Sequence, residues 1–267
     1  MGILAGKRGL IFGVANKHSL AWSIAEVCHQ EHATLGLSYV DDRMEKRIAP
    51  LREKVQPSIC APCNVAMPEE IEHFFSQVEA QMGAIDFLVH SLAFAERESL
   101  TAPFSETSLS AFETAMNVSC FSLVDLVNRG RHLLSPNCSV VTLSFLGSQR
   151  YVHQYNVMGV AKAALESSVR YLAGELGQHG VRVNAVSAGP VKTLAASGIP
   201  GFKTLLKHNA SRTALNRNVT AEEVGKAASF LCSDMSTGIT GEILHVDCGA
   251  HFMDVPPVFA AQQTSKT

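Results

Sequence analysis

Apolar runs of five to seven residues alternate with longer stretches of helical periodicity along nearly the whole chain, and this alternation limits the fold more than any single motif does. Gly9–Gly13, Ala33–Tyr39, Ser58–Cys63, Ala84–His90, Ser139–Ser144, Val181–Val186 and Glu242–Val246 read as strands. Helices are predicted over Leu20–Gln30, Arg43–Lys54, Pro68–Gln81, Ser108–Leu134, Tyr155–Leu176 and Ala221–Leu231. Pro68 suits a first helical position, where its missing N–H costs nothing. Strict β–α alternation favours a parallel sheet, because each crossover lays a helix on one of its faces. Strands covered on both sides are apolar throughout, as these are. No Pro/Gly-rich linker divides them. The expectation is a single α/β domain over residues 1–253: a doubly wound, parallel, seven-stranded sheet with helices on both faces. Residues 254–267 are expected to form a flexible C-terminal tail.

Charge and cysteine content narrow the function classes. With 22 basic against 24 acidic residues, no basic excess exists to hold nucleic acid. No apolar run nears the roughly 20 residues of a membrane span, and the first residues lack the layout of a signal peptide. Seven scattered cysteines, an odd number, read as reduced thiols. A cytoplasmic protein with neither nucleic-acid nor membrane partners is expected.

The first predicted strand runs into Gly13, and the first helix begins near Ser19. A glycine at a strand end lets the backbone turn tightly and approach a ligand closely. A helix N-terminus offers free N–H groups and the positive end of its dipole to a pyrophosphate. In the G-x-G-x-x-G fingerprint two later glycines complete the turn. Here Ser19 and Ala21 are small stand-ins, and Ser19 also suits a simple N-cap. The first β–α crossing of a doubly wound sheet is where dinucleotides bind. Tyr39-Val40-Asp41-Asp42 ends the second strand. A carboxylate there accepts from adenosine ribose hydroxyls and repels a 2′-phosphate, which favours NADH. Arg43, Lys46 and Arg47 lie near enough in sequence to keep NADPH open.

Tyr155 and Lys162 stand seven residues apart in the predicted helix. Seven residues turn about 700°, which returns both to nearly one face. Lysine can hold the nicotinamide ribose, and its charge is expected to lower a nearby phenol's pKa. The phenol would then donate to an oxygen where negative charge develops. Carbonyl-reducing relatives of such folds place the tyrosine four residues before the lysine, where this chain has Met158. A phenol displaced along the axis suits a substrate whose oxygen lies two carbons from the hydride acceptor, as in an enoyl thioester.

Together with Val181–Pro190, Thr193–Gly198, Gly238–Glu242 and His245–Asp247, the run from Tyr155 to Lys162 resembles the enoyl-acyl-carrier-protein reductases. These are divergent short-chain dehydrogenase/reductases with a Rossmann-like fold, and they close each elongation cycle of bacterial type II fatty-acid synthesis. The resemblance extends from about Leu4 to Met253. It implies that Gly13, Ser19 and Leu20 line the pyrophosphate, with Val40 near the adenosine ribose and Asn64 and Val65 near adenine. Ser91 and Leu92 would follow the fourth strand past the cofactor, with Ala93 beyond them, and Ala95 would meet substrate through its backbone. Lys162 would hold the nicotinamide ribose, while Val191, Thr193, Leu194 and Ala195 would bind nicotinamide and pyrophosphate. An acyl carrier protein bearing the enoyl group is the implied partner, and a homotetramer the implied assembly. The family's first active-site tyrosine position holds Phe145, which cannot donate a proton. Phe145 would therefore shape the pocket and leave the oxygen contact to Tyr155.

Residues 191–212 are expected to cover the site as a lid. Leu194, Ile199, Phe202, Leu205 and Leu206 would meet the acyl chain, with Gly198 and Gly201 as hinge points. Lys203, Lys207, His208 and Arg212 would meet an acidic carrier protein. Cys60 and Cys63 have the spacing of a redox or zinc pair, but no second pair follows, and no metal is expected. His90 and His153 read as packing or loop residues, and Ser144 and Ser148 lack the partners of a hydrolase. A carbonyl (3-ketoacyl) reductase of the same fold and a non-catalytic NAD(P)-sensing protein are the competing readings.

Overall fold

A computed structural model of the chain describes residues 2–193 and 202–254. Seven strands form one parallel sheet: β1 (Arg8–Phe12), β2 (Thr34–Tyr39), β3 (Ile59–Pro62), β4 (Ile85–His90), β5 (Leu134–Ser144), β6 (Arg182–Ala188) and β7 (Ile243–Val246). Their spatial order is β3-β2-β1-β4-β5-β6-β7, so the chain winds outward from β1 in one direction and from β4 in the other. The reversal falls between β1 and β4, where Phe12 is level with His90.

Helices cover both faces because each strand alternates its side chains between two cores. Leu10 and Phe12 face one core, and Ile11 the other. On the first face lie α3 (Pro68–Gln81), α6 (Ser122–Gly130) and α7 (Val157–Leu176). Their Phe74, Phe75, Leu126, Leu165 and Val169 pack with Phe12 and Leu88. The rings of Phe12 and Phe74 meet at 5.2 Å. Phe12 is fully buried, so its truncation to alanine would cost about 3–5 kcal/mol. On the second face α1 (Leu20–Gln30), α2 (Glu45–Val55) and the later helix Ala221–Cys232 bring Trp22, Ile48, Leu51 and Leu231 against Ile11 and Leu37. That later helix opens with a capping box, in which Thr220 and Glu223 each accept the other's backbone N–H.

Two expected helices differ in the structure. The segment 108–134 is not one helix. It is α5 (Leu109–Met116), a π-turn (Asn117–Phe121), α6 and a short 3₁₀ turn (Arg131–Leu133). Serine hydroxyls occupy the wide turn: Ser122 donates to the Val118 carbonyl at 2.7 Å, and Ser119 bonds the loop after β4. Helix ends before Leu134, short of the predicted limit, because Pro136 disfavours helix upstream and Leu134 is already extended. The second difference concerns α7, which starts at Val157 and leaves Tyr155 in the preceding turn. Asn156 has φ 40° and ψ −121°, outside the helical region. Its side-chain amide donates to the carbonyls of Ser99 and Ala102, at 3.2 and 2.8 Å, which tie it to the short helix α4 (Arg97–Thr101). That tertiary tie holds Asn156 away from helical geometry, so the seven-residue helical rotation does not apply to Tyr155.

Of the expected lid, residues 191–212, the structure describes 191–193 and 202–212, which include the helix α8 (Phe202–Ala210); α9, the helix Ala221–Cys232, follows. Leu194, Ala195, Gly198, Ile199 and Gly201, the side chains of Phe202, Lys203 and Leu205, and the tail beyond Asp254 lie outside the described residues.

Candidate active site

The expected site residues that the structure describes gather at the carboxyl ends of the strands. In an open α/β sheet, strand order reverses where the crossovers part, which leaves a crevice between two loops. The two loops here follow β1 and β4. Gly13 has φ 94°, and a Cβ on it would lie 2.3 Å from the Ser91 carbonyl oxygen. Only glycine fits both the backbone angle and the approach. The Gly13 and Val14 amides donate to the Ser38 carbonyl, at 3.2 and 2.9 Å, and Ser91 N donates to the Phe12 carbonyl at 3.2 Å.

Ser19 is the N-cap of α1, and its hydroxyl accepts from Trp22 N at 3.3 Å. A helix N-terminus carries more unpaired amides than one hydroxyl can take, so this end remains a donor site for an anion. A dinucleotide fits these residues: the cradle is open because position 13 has no Cβ, and a helix N-terminus stands beside it. At the end of β2, Val40 is 44% exposed. Asp41 caps the next turn, and its carboxylate also accepts from Arg43 Nε at 3.0 Å. The Arg43 guanidinium holds that carboxyl below its usual range, so it is ionised at neutral pH. Asn64 N donates to Glu70 at 2.8 Å, and Val65 is buried beside it.

The loop after β4 carries Ser91, Leu92 and Ala95. It is pinned at Phe94, whose N–H donates to Ser119 Oγ at 2.9 Å while that hydroxyl donates back to the Phe94 carbonyl at 3.0 Å. Ser119 Oγ also lies 3.6 Å from the Met158 sulfur. Met158 is buried, so the position four residues before Lys162 is filled by packing.

Lys162 projects from α7 and is only 5% exposed. Its Nζ donates to the Leu143 carbonyl at 2.8 Å, just before β5 ends. Burial pushes its pKa down to about 8, with Cys120 and Glu166 opposing. Beyond β5, Phe145 leads into a 3₁₀ turn, Leu146–Ser148. The Phe145 and Tyr155 rings meet edge to face at 4.9 Å. Gly147 makes room for this pair: a Cβ there would lie 2.5 Å from Tyr155 Cδ1. Tyr155 and Lys162 are therefore brought to the same short segment, 143–148, by tertiary contacts. The expected lowering of the phenol's pKa is not found. Burial raises it above the ordinary range, and the Glu166 charge adds to this. A phenol held neutral is a donor rather than a base.

Sequence reasoning missed three groups here. Glu166 accepts from both Ser144 and Ser148, Asn156 fixes the turn that carries Tyr155, and Ser119 pins the loop after β4. Glu166 had one available signal, a carboxylate one helical turn beyond Lys162 within the apolar series Ala161, Leu165 and Val169. The serine–glutamate bonds also answer the hydrolase reading, since both hydroxyls serve a carboxylate. His90 bonds Thr142 and Ser122 at 2.7 and 2.8 Å in the core. Burial and the Lys162 charge lower its pKa to about 3, as befits a neutral packing histidine. His153 is exposed, with Nδ1 3.5 Å from the Tyr151 hydroxyl. Burial raises the Cys60 and Cys63 thiols to about 11 and 12, which disfavours thiolate chemistry. Val191 packs on the second core, and Thr193 is half-buried.

Residues 13–251 match the family described as "Enoyl-(Acyl carrier protein) reductase". A relative from Nostoc sp., the enoyl-[acyl-carrier-protein] reductase [NADH] FabI, is 47% identical, covering 94% of this chain and 98% of that protein. Among solved structures, an Anaplasma phagocytophilum enoyl-(acyl-carrier-protein) reductase in complex with NAD is 40% identical. It superposes with a TM-score of 0.91, covering 96% of each chain. The Bacillus cereus enoyl-acyl carrier protein reductase, solved with NADP+ and an indole naphthyridinone, is 42% identical. Its TM-score is 0.93, over 96% of this chain and all of that one.

Proposed function

This chain belongs to the enoyl-(acyl carrier protein) reductase family, and from that premise we propose that Tyr155, Lys162 and Phe145 form its reaction centre. The enzyme reduces the trans-2 double bond of enoyl-acyl-carrier-protein thioesters with NADH in fatty-acid elongation. NADPH remains an alternative donor, in line with the NADP+ held by the Bacillus cereus protein.

When bound, the reduced nicotinamide supplies the hydride that saturates the β-carbon. Tyr155 donates a hydrogen bond to the thioester oxygen, where negative charge grows as the enolate forms, and uptake of a proton at the α-carbon then collapses the enolate to the saturated thioester. Its raised pKa keeps the proton on the phenol while it does so. Lys162, fixed on the Leu143 carbonyl, has further ammonium donors for the nicotinamide ribose. Phe145 holds the Tyr155 ring edge to face and shapes the pocket. The observation that carries this reading is the position of the phenol. The site four residues before Lys162 is taken by buried Met158, and the phenol packed against the segment 143–148, Tyr155, precedes the helix.

Gly13, Ser19 and Leu20 are assigned to the pyrophosphate, Val40, Asn64 and Val65 to the adenosine, and Ser91, Leu92, Val191, Thr193, Leu194 and Ala195 to the rest of the cofactor. Ala95 and Phe202 are assigned to the substrate. The lid over 191–212 and carrier docking at Lys203, Lys207, His208 and Arg212 complete the assignment. Exposed Lys207, His208 and Arg212 are consistent with docking. A homotetramer is supported by the apolar groups Leu109, Phe121, Val160 and Tyr171 exposed on α5, the π-turn and α7. Among the described residues no helix is long and apolar enough to cross a membrane, and a cytoplasmic location fits that.

The test is oxidation of NADH and NADPH with crotonyl and longer enoyl thioesters, with β-ketoacyl thioesters as the contrast. Enoyl turnover is expected. Turnover of the keto substrates alone would favour the carbonyl-reductase reading, and cofactor binding without any turnover the sensing one.

A further inference from the structure

Glu166 is a buried carboxylate, 5% exposed, that the reaction scheme does not use. One of its oxygens, Oε1, accepts from Ser144 Oγ and from Ser148 Oγ, each at 2.5 Å. Hydroxyl bonds of that length to a carboxylate are charge-assisted and strong. The two serines bracket the segment that carries Phe145, and Gly147 lies against Tyr155. Four residues back on the same helix, Lys162 holds the Leu143 carbonyl. α7 thus grips the strand end and the turn at three points, two of them through one carboxylate oxygen. Within the turn, Ser148 N donates to the Phe145 carbonyl at 2.9 Å and Gln149 N to the Leu146 carbonyl at 3.0 Å.

We propose that Glu166 is a positioning residue for the reduction: by clamping Ser144 and Ser148 it fixes the Phe145 turn, and through it the place of the Tyr155 ring. The proposal rests on the enoyl-reductase reading of the same site. Other origins of the clamp's effect can be separated by charge. The titratable groups that feel Glu166 are Lys162 on its own helix, Tyr155 just before that helix and His245 on β7. Removing its negative charge while keeping its volume lowers the pKa of Lys162, because an anion nearby favours the ammonium form. The alkaline limb of a profile that needs the ammonium then moves to lower pH.

The experiment compares the wild-type chain with Glu166→Gln and Glu166→Leu. It uses kcat and KM with crotonyl thioester and NADH, the pH profile of kcat, and amide hydrogen exchange in the cofactor-free chain. Misplacing a reacting group slightly costs up to about 100-fold, so Glu166→Gln is expected to lower kcat about tenfold. KM for NADH should stay within about twofold, since the Gly13 cradle is untouched. The alkaline limb should move to lower pH, and the amides of Ser148 and Gln149 should exchange at least about tenfold faster while β5 and β6 stay protected. If Glu166→Leu does not fold, Glu166→Gln and the double variant Ser144→Ala, Ser148→Ala carry the test. Unchanged kcat and unchanged turn exchange in a folded variant overturn the clamp while leaving the enoyl-reductase reading standing. A wild-type chain without enoyl turnover overturns that reading, and the clamp's role in reduction with it.

Discussion

The two ends of the crevice are built by opposite means. At the β1–β4 reversal the work is done by backbone: Gly13 at φ 94°, its closeness to the Ser91 carbonyl, and the N-terminus of α1 capped by Ser19. At the β5–α7 end it is done by side chains: Lys162 on Leu143, Glu166 on two serines, and Tyr155 on Phe145. A pyrophosphate offers many equivalent oxygens, so amides and a helix dipole suffice to hold it. A reacting carbonyl offers one oxygen at one place, so a phenol must be fixed from several directions. The first end needs no buried charge, whereas the second buries two and balances burial against neighbouring groups.

That contrast breaks most visibly at the phenol. Tyr155→Phe keeps the ring and its contact with Phe145 but removes the donor, so kcat on crotonyl thioester should fall about 10²–10⁴-fold with NADH affinity nearly unchanged. Comparable turnover in the variant would assign the oxygen contact elsewhere. At the other end, Gly13→Ala places a methyl against the Ser91 carbonyl in a backbone region that alanine disfavours. It should weaken NADH binding at least about tenfold and cost about 2–3 kcal/mol of stability, read by cofactor titration and urea unfolding. A wild-type NADH affinity in Gly13→Ala would erase the distinction between the two ends.

A pH series sharpens it further. Lys162 has its pKa lowered to about 8 from an ordinary 10.5, so between those values the unfolded chain holds a proton that the folded chain has lost. Stability therefore rises with pH across that window as the burial penalty lifts, by about 1–3 kcal/mol. Below pH 8 both states are charged and the penalty is constant. Subtracting the unfolding free energies of Lys162→Met isolates the effect from the buried thiols, whose raised pKa values act in the opposite sense. A flat difference between the two proteins would place Lys162 in a more polar setting than its burial indicates. The smallest effect tests whether the glycine rule of the first end applies elsewhere. Cys248 has φ 58°, and Cys248→Gly should raise stability by at most about 1 kcal/mol, seen as a small rise in Tm. A fall in Tm would mean that the thiol's packing outweighs the backbone strain.

The two ends were also unequally legible. Gly13 and Ser19 could be read from local sequence, because a strand end followed by a helix start defines both the turn and the donors. Tyr155 and Lys162 were recognisable as a pair, yet the geometry first assigned to them was wrong, because Asn156 is pulled out of the helix by carbonyls of residues 99 and 102. Ser119 was not legible at all, and for Glu166 only its place in the apolar face of the helix was, not its partners. Their partners lie 18 to 25 residues away in the chain, and no periodicity reports such a contact. The break at Asn117–Phe121 was hidden for a similar reason, since its Ser119 hydroxyl bonds the Phe94 carbonyl, which only the fold brings near.

Sequence alone determined the seven parallel strands, their alternation with helices and the end of the sheet where the candidate site residues gather. These follow from apolar periodicity and from the length of the crossovers, which are properties of neighbouring residues. Tertiary structure decided where the phenol stands, that its proton is held more tightly rather than less, and which carboxylate steadies the turn beside it. Those outcomes depend on burial and on contacts between distant segments, and both come into being only when the chain has closed on itself.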